Sequence, residues 1–322
     1  MVHTHSGKAG LLGRMAAAAL GVPAIVHTVH GAPFHAYQSR LARAVLRRCE
    51  RYGAARCHRI VSVADAMTEQ LVAAGVAPAD QCVTIYSGLD VAPFLAAAQY
   101  RQQVRHELGY GAQHIVVGKV ARMFRLKGHA DVIAAAQQVL ADCPEVRFLL
   151  VGGGRYQPYW KGQIAAAGLA PYVQLTGLVA PERIAPLMGA MDLVVHASLR
   201  EGLARVLPQA LIAGKPVISY DIDGAREVVL PGQTGYLLQP GDVAGMARAI
   251  LALARDTGLR ERLGSAGRQR FTDRFRHETM TGQLRDLYTT ILSRGERLAR
   301  EDRRAARAAA RKPSASSPPG LH

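Results

Sequence analysis

The sequence of 322 residues predicts an α/β protein built from two domains, each a parallel sheet covered by helices on both faces. Short apolar runs of strand length alternate with helical segments, and this alternation restarts after a break at residues 91–112. Repeated strand and helix units favour doubly wound parallel sheets. Because 49% of the residues are hydrophobic, the chain can fill two cores of ordinary size.

The first series, within residues 1–100, is short. Helices are predicted from Tyr37 to Tyr52 and from Asp65 onward. Strands are predicted at 24–31, 59–63 and 82–88, after a strand end in "MVHTHS". A doubly wound sheet usually has five or more strands. We therefore expect a partial first domain and a chain that lacks the start of that domain.

The second series, residues 113–275, contains a full set of strands and helices. It begins with "HIVVGKVAR" and passes through "VRFLLVGGG", "YVQLTG", "MDLVVHAS" and "PVISYD" to "TGYLLQP". Residues 276–293 then predict an amphipathic helix, expected to pack back on the first domain. Residues 294–322 are basic, with few large apolar side chains, and are expected to be a disordered tail.

The net charge of +16 raises the question of a nucleic-acid partner, which we discount. Arginine and alanine are abundant throughout, as GC-rich coding would produce, and few aromatic residues are interleaved with the bases to stack on nucleotides. Polyphosphates or an anionic membrane surface are the favoured partners. No apolar run reaches 18 residues, and the four cysteines show no paired spacing. We expect a cytoplasmic protein with peripheral contact at the inner face of the membrane.

A pair of cations follows the first strand of the second series, in "VARMFRLKGH" (residues 120–129). Arg122 comes at the strand end and Lys127 where the next helix begins. Both are therefore expected at the carboxyl edge of the sheet, where parallel sheets bind ligands. This arrangement suits a diphosphate, although two solvated bases in a loop would give the same pattern.

Two further stretches place polar groups or bare backbone at the same edge. In "VGGGRY" (151–156), glycines such as Gly153 let the backbone approach a ligand closely. In "REGLARVLPQ" (200–209), Pro208 requires a helix start near Arg205 to Leu207. Glu201 then lies in the preceding loop and Gln209 in the early turns. A carboxylate beside an anion site fits a ligand that also carries hydroxyl donors, such as a sugar.

A family resemblance rests on these motifs taken together and in order: "VARMFRLKGH", "VGGG", "LTGLVAPERI", "MDLVVHASLREGLARVLPQALIAGKPVISYDIDGAREVV" and "GQTGYLLQPGD". From residue 113 to 275 the chain resembles the donor-binding domain of the retaining family 4 glycosyltransferases. The stretches "VHTHSGKAGLLGRMAA" and "VHTVHGAPFH" resemble the later half of their acceptor domain. The resemblance implies the GT-B fold, two Rossmann-like domains with the active site between them.

The resemblance also implies roles for individual residues. Arg122 and Lys127 would hold the donor diphosphate, and Glu201 the sugar hydroxyls. The loop amides of Gly202, Leu203 and Ala204 would contact phosphate and sugar, and backbone near Leu178 and Val179 would meet the base. His30 would reach from the first domain toward the transferred sugar. The family usually has a second Glu for the ribose where this chain has Gln209, which weakens that contact.

These observations predict a retaining, metal-independent glycosyltransferase with no cofactor. Its donor would be a nucleotide-diphosphate sugar and its acceptor a saccharide or lipid-linked sugar in cell-envelope polysaccharide or glycolipid synthesis. Gln209 and the short first domain leave open a non-catalytic nucleotide-sugar-binding protein, and a GT-B epimerase is the other alternative. "DID" (221–223) spells a metal-binding motif but falls within the family pattern. Glu227 is expected to anchor a loop near a helix start.

Overall fold

The computed structural model describes the backbone of residues 1–310 and the side chains of residues 1–293. Two sheets organise these residues, and every strand pairing in both is parallel. The first unit contains a four-stranded sheet in the order β1-β2-β3-β4. Its elements are β1 (Val2–His5), α1 (Gly7–Ala19), β2 (Ile25–Val29), α2 (Arg40–Ala54), β3 (Arg59–Ser62), α3 (Asp65–Ala73) and β4 (Cys82–Thr84).

The connector between the units contains two helices, α4 (Ala92–Leu95) and α5 (Arg101–Glu107). The second unit contains a six-stranded sheet. Its elements are β5 (Ile115–Val120), α6 (His129–Asp142), β6 (Val146–Val151), α7 (Gln157–Ala166), β7 (Val173–Gly177), α8 (Ile184–Ala190), β8 (Leu193–His196), α9 (Val206–Ile212), β9 (Val217–Tyr220), β10 (Gly235–Leu238), α10 (Val243–Arg255), α11 (Thr257–Phe271) and α12 (His277–Ala310).

Local sequence signals account for several helix starts. The Ser39 hydroxyl accepts a hydrogen bond from the N–H of Ala42 at the start of α2. Asp242 and Asp256 do the same for α10 and α11, through the N–H groups of Gly245 and Leu259. Such caps pair backbone donors that a helix cannot satisfy internally. The helix predicted to start near Arg205 to Leu207 begins at Val206.

A buried ion pair fixes α1 against α2 in the first unit. Arg14 donates to Glu50 at 2.9 Å, and both side chains are almost fully excluded from solvent. Arg14 also donates to the carbonyl of Gly10, one turn earlier in α1. Gly53 leaves room for the guanidinium, because a Cβ there would collide with it. The orientation of α2 on the first sheet therefore depends on this pair.

The last helix returns to the first unit. Apolar side chains of α12, among them Leu284, Leu287 and Ile291, pack against residues of the first sheet such as Val26 and Ile85. The helix continues to Ala310, beyond the predicted end at residue 293. Residues 311–322 of the predicted tail lie outside the described residues. Along the described chain, no helix is both long and apolar enough to cross a bilayer.

Candidate active site

The strand order of the second sheet, β10-β9-β8-β5-β6-β7, has its switch point between β5 and β8. Chain connections leave this point in opposite directions, which opens a crevice at the carboxyl ends of the two strands. Lys127 lies in the 3-10 turn Arg125–Lys127 that follows β5, and Glu201 lies in the loop that follows β8. The order of the strands therefore places these two predicted site residues in the same crevice.

Lys127 and Glu201 form an ion pair across the crevice. Gly128 makes this possible, since it adopts a left-handed conformation with φ of 64°. A side chain at Gly128 would collide with the carbonyl oxygen of Ala197, just after β8. The turn can thus approach the loop after β8 only with glycine at this position.

The ion pair keeps Glu201 charged in a largely buried position. Burial alone would raise the pKa of Glu201, but His196 and Lys127 together lower it to about 2. His196 Nε2 lies 3.5 Å from the carboxylate. Burial lowers the pKa of His196 in turn, and the charge of Glu201 opposes this shift. Glu201 is therefore an anion held beside a cation at the base of the crevice.

A group of buried polar side chains lies behind this pair. Among the described side chains, Lys119 Nζ, His129 Nδ1, both ring nitrogens of His196 and Ser198 Oγ have no hydrogen-bond partner. Burial and the charge of Lys127 lower the pKa of Lys119 to about 7. Burial and Lys119 lower that of His129 to about 4. The crevice thus rests on a polar floor whose charge depends on the protonation of Lys119 near pH 7.

The "DID" carboxylates take separate structural roles. Asp223 accepts a hydrogen bond from the backbone N–H of Glu201 at 2.7 Å and has φ of 45°, a strained value for a residue with a side chain. Asp221 pairs with Arg226 at 2.9 Å. Within the described residues, no group of three metal-ligating side chains comes together. Asp223 therefore holds the loop that carries Glu201 by a hydrogen bond to its backbone.

Arg122 is exposed at the end of β5, with its guanidinium 5.0 Å from the centre of the Phe124 ring. Gly153, after β6, accepts a hydrogen bond from the N–H of Met123 and approaches the backbone of Leu178. The loops after β5, β6 and β7 therefore meet at Gly153. Leu178 is 88% exposed at this edge, while Val179 is partly buried against the core.

Gln209 lies in the first turns of α9 and lines a cavity of about 490 Å³. Arg205, Tyr100, Glu182 and Asp90 line the same cavity. The structure therefore places Gln209 in a cavity whose lining is largely apolar and also contains a cation and two carboxylates. Its predicted contact with a ribose remains a prediction.

His30 follows β2 in the first unit and is exposed toward the second. Its Nε2 lies 3.0 Å from Nδ1 of His5, and the two rings stack with centroids 5.2 Å apart. Burial, His5 and Arg205 lower the pKa of His30, which favours the neutral ring. His5 thus orients His30, and Arg205 of the second unit lowers the pKa of His30.

The loop Gly202–Ala204 lies between the two units. A side chain at Gly202 would collide with the carbonyl oxygen of His30. Leu203 packs against the cores of both units. Arg200, just before the loop, donates to the carbonyl of Ala32 at 2.7 Å. The predicted contact of these loop amides with phosphate stays a prediction, but the loop itself joins the units.

Glu227 anchors a helix start, as expected, but the helix belongs to the other unit. Its carboxylate accepts hydrogen bonds from the N–H groups of Asp65 and Ala66, the first residues of α3. Tyr86 also donates to it, at 2.6 Å. A cross-unit role could not be inferred from a local motif.

Several residues of the site were not predicted from the sequence. Lys119 had a visible signal, a charged residue inside the apolar run "HIVVGKV", and so did His196 at the end of "MDLVVHAS". Arg200, Arg205 and His5 had none. Arg200 and His5 acquire their roles through contact with the opposite unit or a neighbouring strand, and Arg205 acts through its charge on His30.

Two family models match the chain. Residues 101–270 match the model described as glycosyl transferases group 1, and residues 1–93 match the model of glycosyltransferase family 4. Together these matches cover both units described above.

Similar proteins are found among characterised enzymes and solved structures. One is the UDP-Gal:alpha-D-GlcNAc-diphosphoundecaprenol alpha-1,3-galactosyltransferase of Escherichia coli, 26% identical over 91% of this chain and 76% of its own length. Another is the capsular polysaccharide biosynthesis glycosyltransferase CapM of Staphylococcus aureus, 23% identical over 92% of this chain and 78% of its own. The crystal structure of Anabaena HepE with UDP-glucose superimposes with a TM-score of 0.80 at 26% identity, covering 89% of this chain and 78% of that one.

Proposed function

The chain belongs to the glycosyl transferases group 1 family and has the GT-B fold, and from this premise we propose that it transfers a glycosyl group from a nucleotide-diphosphate sugar with retention of anomeric configuration. The acceptor would be a saccharide or a lipid-linked sugar in cell-envelope polysaccharide or glycolipid synthesis. The observation that carries the proposal is the Lys127–Glu201 pair at the switch point of the second sheet, opposite His30 of the first unit.

The donor would lie along the carboxyl edge of the second sheet. Arg122 and Lys127 supply positive charge for the diphosphate, and the site is partly withdrawn from water, so this charge acts more strongly than it would in solution. Glu201, held as an anion beside Lys127, would accept hydrogen bonds from sugar hydroxyls. Its neighbour Lys127 would then stand between the sugar and the diphosphate, where the glycosidic bond breaks.

Bond cleavage would leave negative charge on the departing diphosphate and positive charge on the sugar ring. Arg122 and Lys127 stabilise the first of these charges. In retaining transfer of this kind, the acceptor hydroxyl attacks the face that the diphosphate leaves, and a phosphate oxygen takes up its proton. His30, fixed by its contact with His5, would line that face and orient sugar or acceptor.

Solved HepE structures with UDP-glucose and the galactosyltransferase acting with UDP-Gal indicate the first donors to test. Each nucleotide sugar would be screened for thermal stabilisation, since a ligand at 100 times its Kd adds about 2.7 kcal/mol to the free energy of unfolding. UDP release would then be measured with and without a lipid-linked GlcNAc diphosphate acceptor, in the presence of EDTA.

We expect UDP release that requires the acceptor, persists in EDTA, and gives a product with the anomeric configuration of the donor. Stabilisation by a nucleotide sugar without acceptor-dependent release would instead support a binding protein, the alternative that Gln209 suggests. A change in the sugar of the nucleotide without any acceptor would support an epimerase. Loss of activity in EDTA, restored by a divalent cation, would contradict metal independence.

A further inference from the structure

Exposed apolar side chains are concentrated on one part of the first unit. Eleven large apolar residues are exposed among those whose side chains are described, and eight of these fall within residues 1–52. They are Met1, Leu12, Met15, Leu20, Tyr37, Leu41, Val45 and Tyr52. Scattered exposed apolar residues are normal, whereas a concentration on neighbouring helices marks an interaction surface.

The same region is strongly basic. Residues 1–49 contain six Lys or Arg and no Asp or Glu. The first acidic residue, Glu50, is buried in its pair with Arg14 and leaves no negative charge at the surface. Residues 1–49 therefore contribute only positive charge to the surface.

The helix α2 combines these two properties in separate stripes. Its buried face carries Glu50, Gly53 and Ala54. Its apolar stripe runs at helical spacing through Leu41, Val45 and Tyr52, whose exposed fractions are 76%, 51% and 46%. Its cationic stripe contains Arg40, Arg43, Arg47, Arg48 and Arg51, all exposed.

Within the part of the chain whose side chains are described, none of these five arginines forms an ion pair. Three of them, Arg40, Arg43 and Arg47, line a cavity of about 430 Å³ beside the helix, together with Phe34 and Gln70. Three unpaired guanidinium groups around one concavity suit a phosphate group.

We propose that the exposed side of α2, defined as Leu41, Val45 and Tyr52 with the five arginines, docks on an anionic lipid bilayer. A helix with a cationic stripe beside exposed apolar residues lies in the plane of a membrane surface, with its apolar side chains inserted and its arginines at the headgroups. The cavity at Arg40, Arg43 and Arg47 receives a lipid headgroup phosphate.

The inference deepens the proposed function, because a lipid-linked acceptor is itself held in a bilayer. A relative acts on GlcNAc-diphosphoundecaprenol. The helix α2 follows the loop that begins at His30, so docking through α2 would bring the acceptor side of the cleft toward the membrane. Bilayer binding requires neither donor nor transfer, so the two proposals can fail separately.

The test uses the full chain and sedimentation with vesicles. We expect binding to vesicles of phosphatidylglycerol and phosphatidylcholine, weaker binding to phosphatidylcholine alone, and weakening as salt rises. Arg43→Gln with Arg47→Gln should lower the partition coefficient about fivefold for each arginine removed. Leu41→Ser with Val45→Ser should lower it about tenfold or more.

Matched control variants lie on the exposed surface of the second unit. Arg248→Gln with Arg270→Gln removes the same charge, and Tyr159→Ser removes a side chain that is 54% exposed. Both controls should bind vesicles as the unchanged protein does. UDP affinity, measured by titration calorimetry without vesicles, should be the same for all variants.

Equal vesicle binding by the α2 variants and the unchanged protein would overturn the proposal. A loss in the charge-matched control as large as that in Arg43→Gln with Arg47→Gln would overturn it too, because net charge alone would then explain the binding. If the protein binds inorganic phosphate, loses this binding in Arg43→Gln with Arg47→Gln, and does not bind vesicles, the surface is an anion site and the proposal is overturned. Failure to bind UDP would contradict the proposed function alone.

Discussion

Glu227, in the second unit, accepts hydrogen bonds from the backbone N–H groups of Asp65 at 3.0 Å and Ala66 at 2.9 Å, in the first turn of α3 in the first unit. A helix of one unit is thus capped by a carboxylate of the other. Arg274 adds to this contact by donating to Tyr86, which in turn donates to Glu227. Glu227 therefore joins the two units together with the loop Gly202–Ala204, which contacts His30 of the first unit.

Replacement of this cap should loosen the two units without removing any predicted donor contact. For Glu227→Ala we expect a loss of about 0.5–2 kcal/mol in the free energy of unfolding, the usual cost of a lost N-cap. Small-angle scattering should give a larger radius of gyration. Asp65→Asn is the control, because it leaves the Asp65 backbone N–H in place and keeps a side-chain oxygen that can accept from Tyr86. An unchanged radius and stability in Glu227→Ala would show that the units are held by other contacts.

The two predicted diphosphate cations should differ in their effects. Arg122→Ala removes an exposed guanidinium, so UDP binding should weaken by about 1.5–3 kcal/mol, the usual value for a hydrogen bond to a charged group. Lys127→Ala should weaken binding similarly and also raise the pKa of Glu201. The pH profile of transfer should therefore change in Lys127→Ala alone. Calorimetry measures the binding, and Lys161→Ala, an exposed lysine on α7, is the control.

Glu201 and Gln209 should separate sugar binding from nucleotide binding. Glu201→Ala should abolish transfer and leave UDP affinity within a few fold, because its predicted contacts are with the sugar. Gln209→Glu should maintain or strengthen UDP binding by adding a charged acceptor for the ribose. Loss of UDP binding in Glu201→Ala, without loss of folding by circular dichroism, would contradict the assignment to the sugar.

His30 should affect turnover more than donor binding. We expect His30→Ala to lower kcat with little change in UDP affinity, because His30 comes from the unit opposite the donor. His5→Phe keeps the aromatic ring but removes the nitrogen that lies 3.0 Å from His30. It should reproduce part of the kcat loss if orientation of His30 matters. Equal kcat in His5→Phe and the unchanged protein would limit His5 to a structural role.

Much of the second unit could be predicted because its signals are local. The strand predicted in "HIVVGKVAR" is β5, Ile115–Val120, and Pro208 indicated the start of α9 to within a residue. The order of strands then places Lys127 and Glu201 together. The cap by Glu227 could not be predicted, because it joins residues about 160 positions apart through a contact between units. The roles of Arg200 and His5 were missed for the same physical reason.

The buried Lys119 predicts the sign of a pH effect on stability. Burial and the charge of Lys127 lower its pKa from 10.5 to about 7, so the unfolded chain binds more protons than the folded one between these values. Stability should therefore rise with pH from about 7 to 10. Below pH 7, where the amine is charged in the folded state too, its burial destabilises the folded state by roughly 5 kcal/mol, at 1.36 kcal/mol for each pKa unit.

Lys119→Met removes this charge at similar volume, so the variant should be a few kcal/mol more stable than the unchanged protein at pH 7. The difference should shrink toward pH 10, where Lys119 is neutral in the folded state and increasingly neutral in the unfolded one. Urea unfolding at pH 7, 8.5 and 10 measures both effects, and Lys161→Met is the exposed control. If Lys119→Met destabilises the protein equally at all three pH values, Lys119 is held by partners that offset its burial, and the polar floor behind Glu201 carries a fixed positive charge.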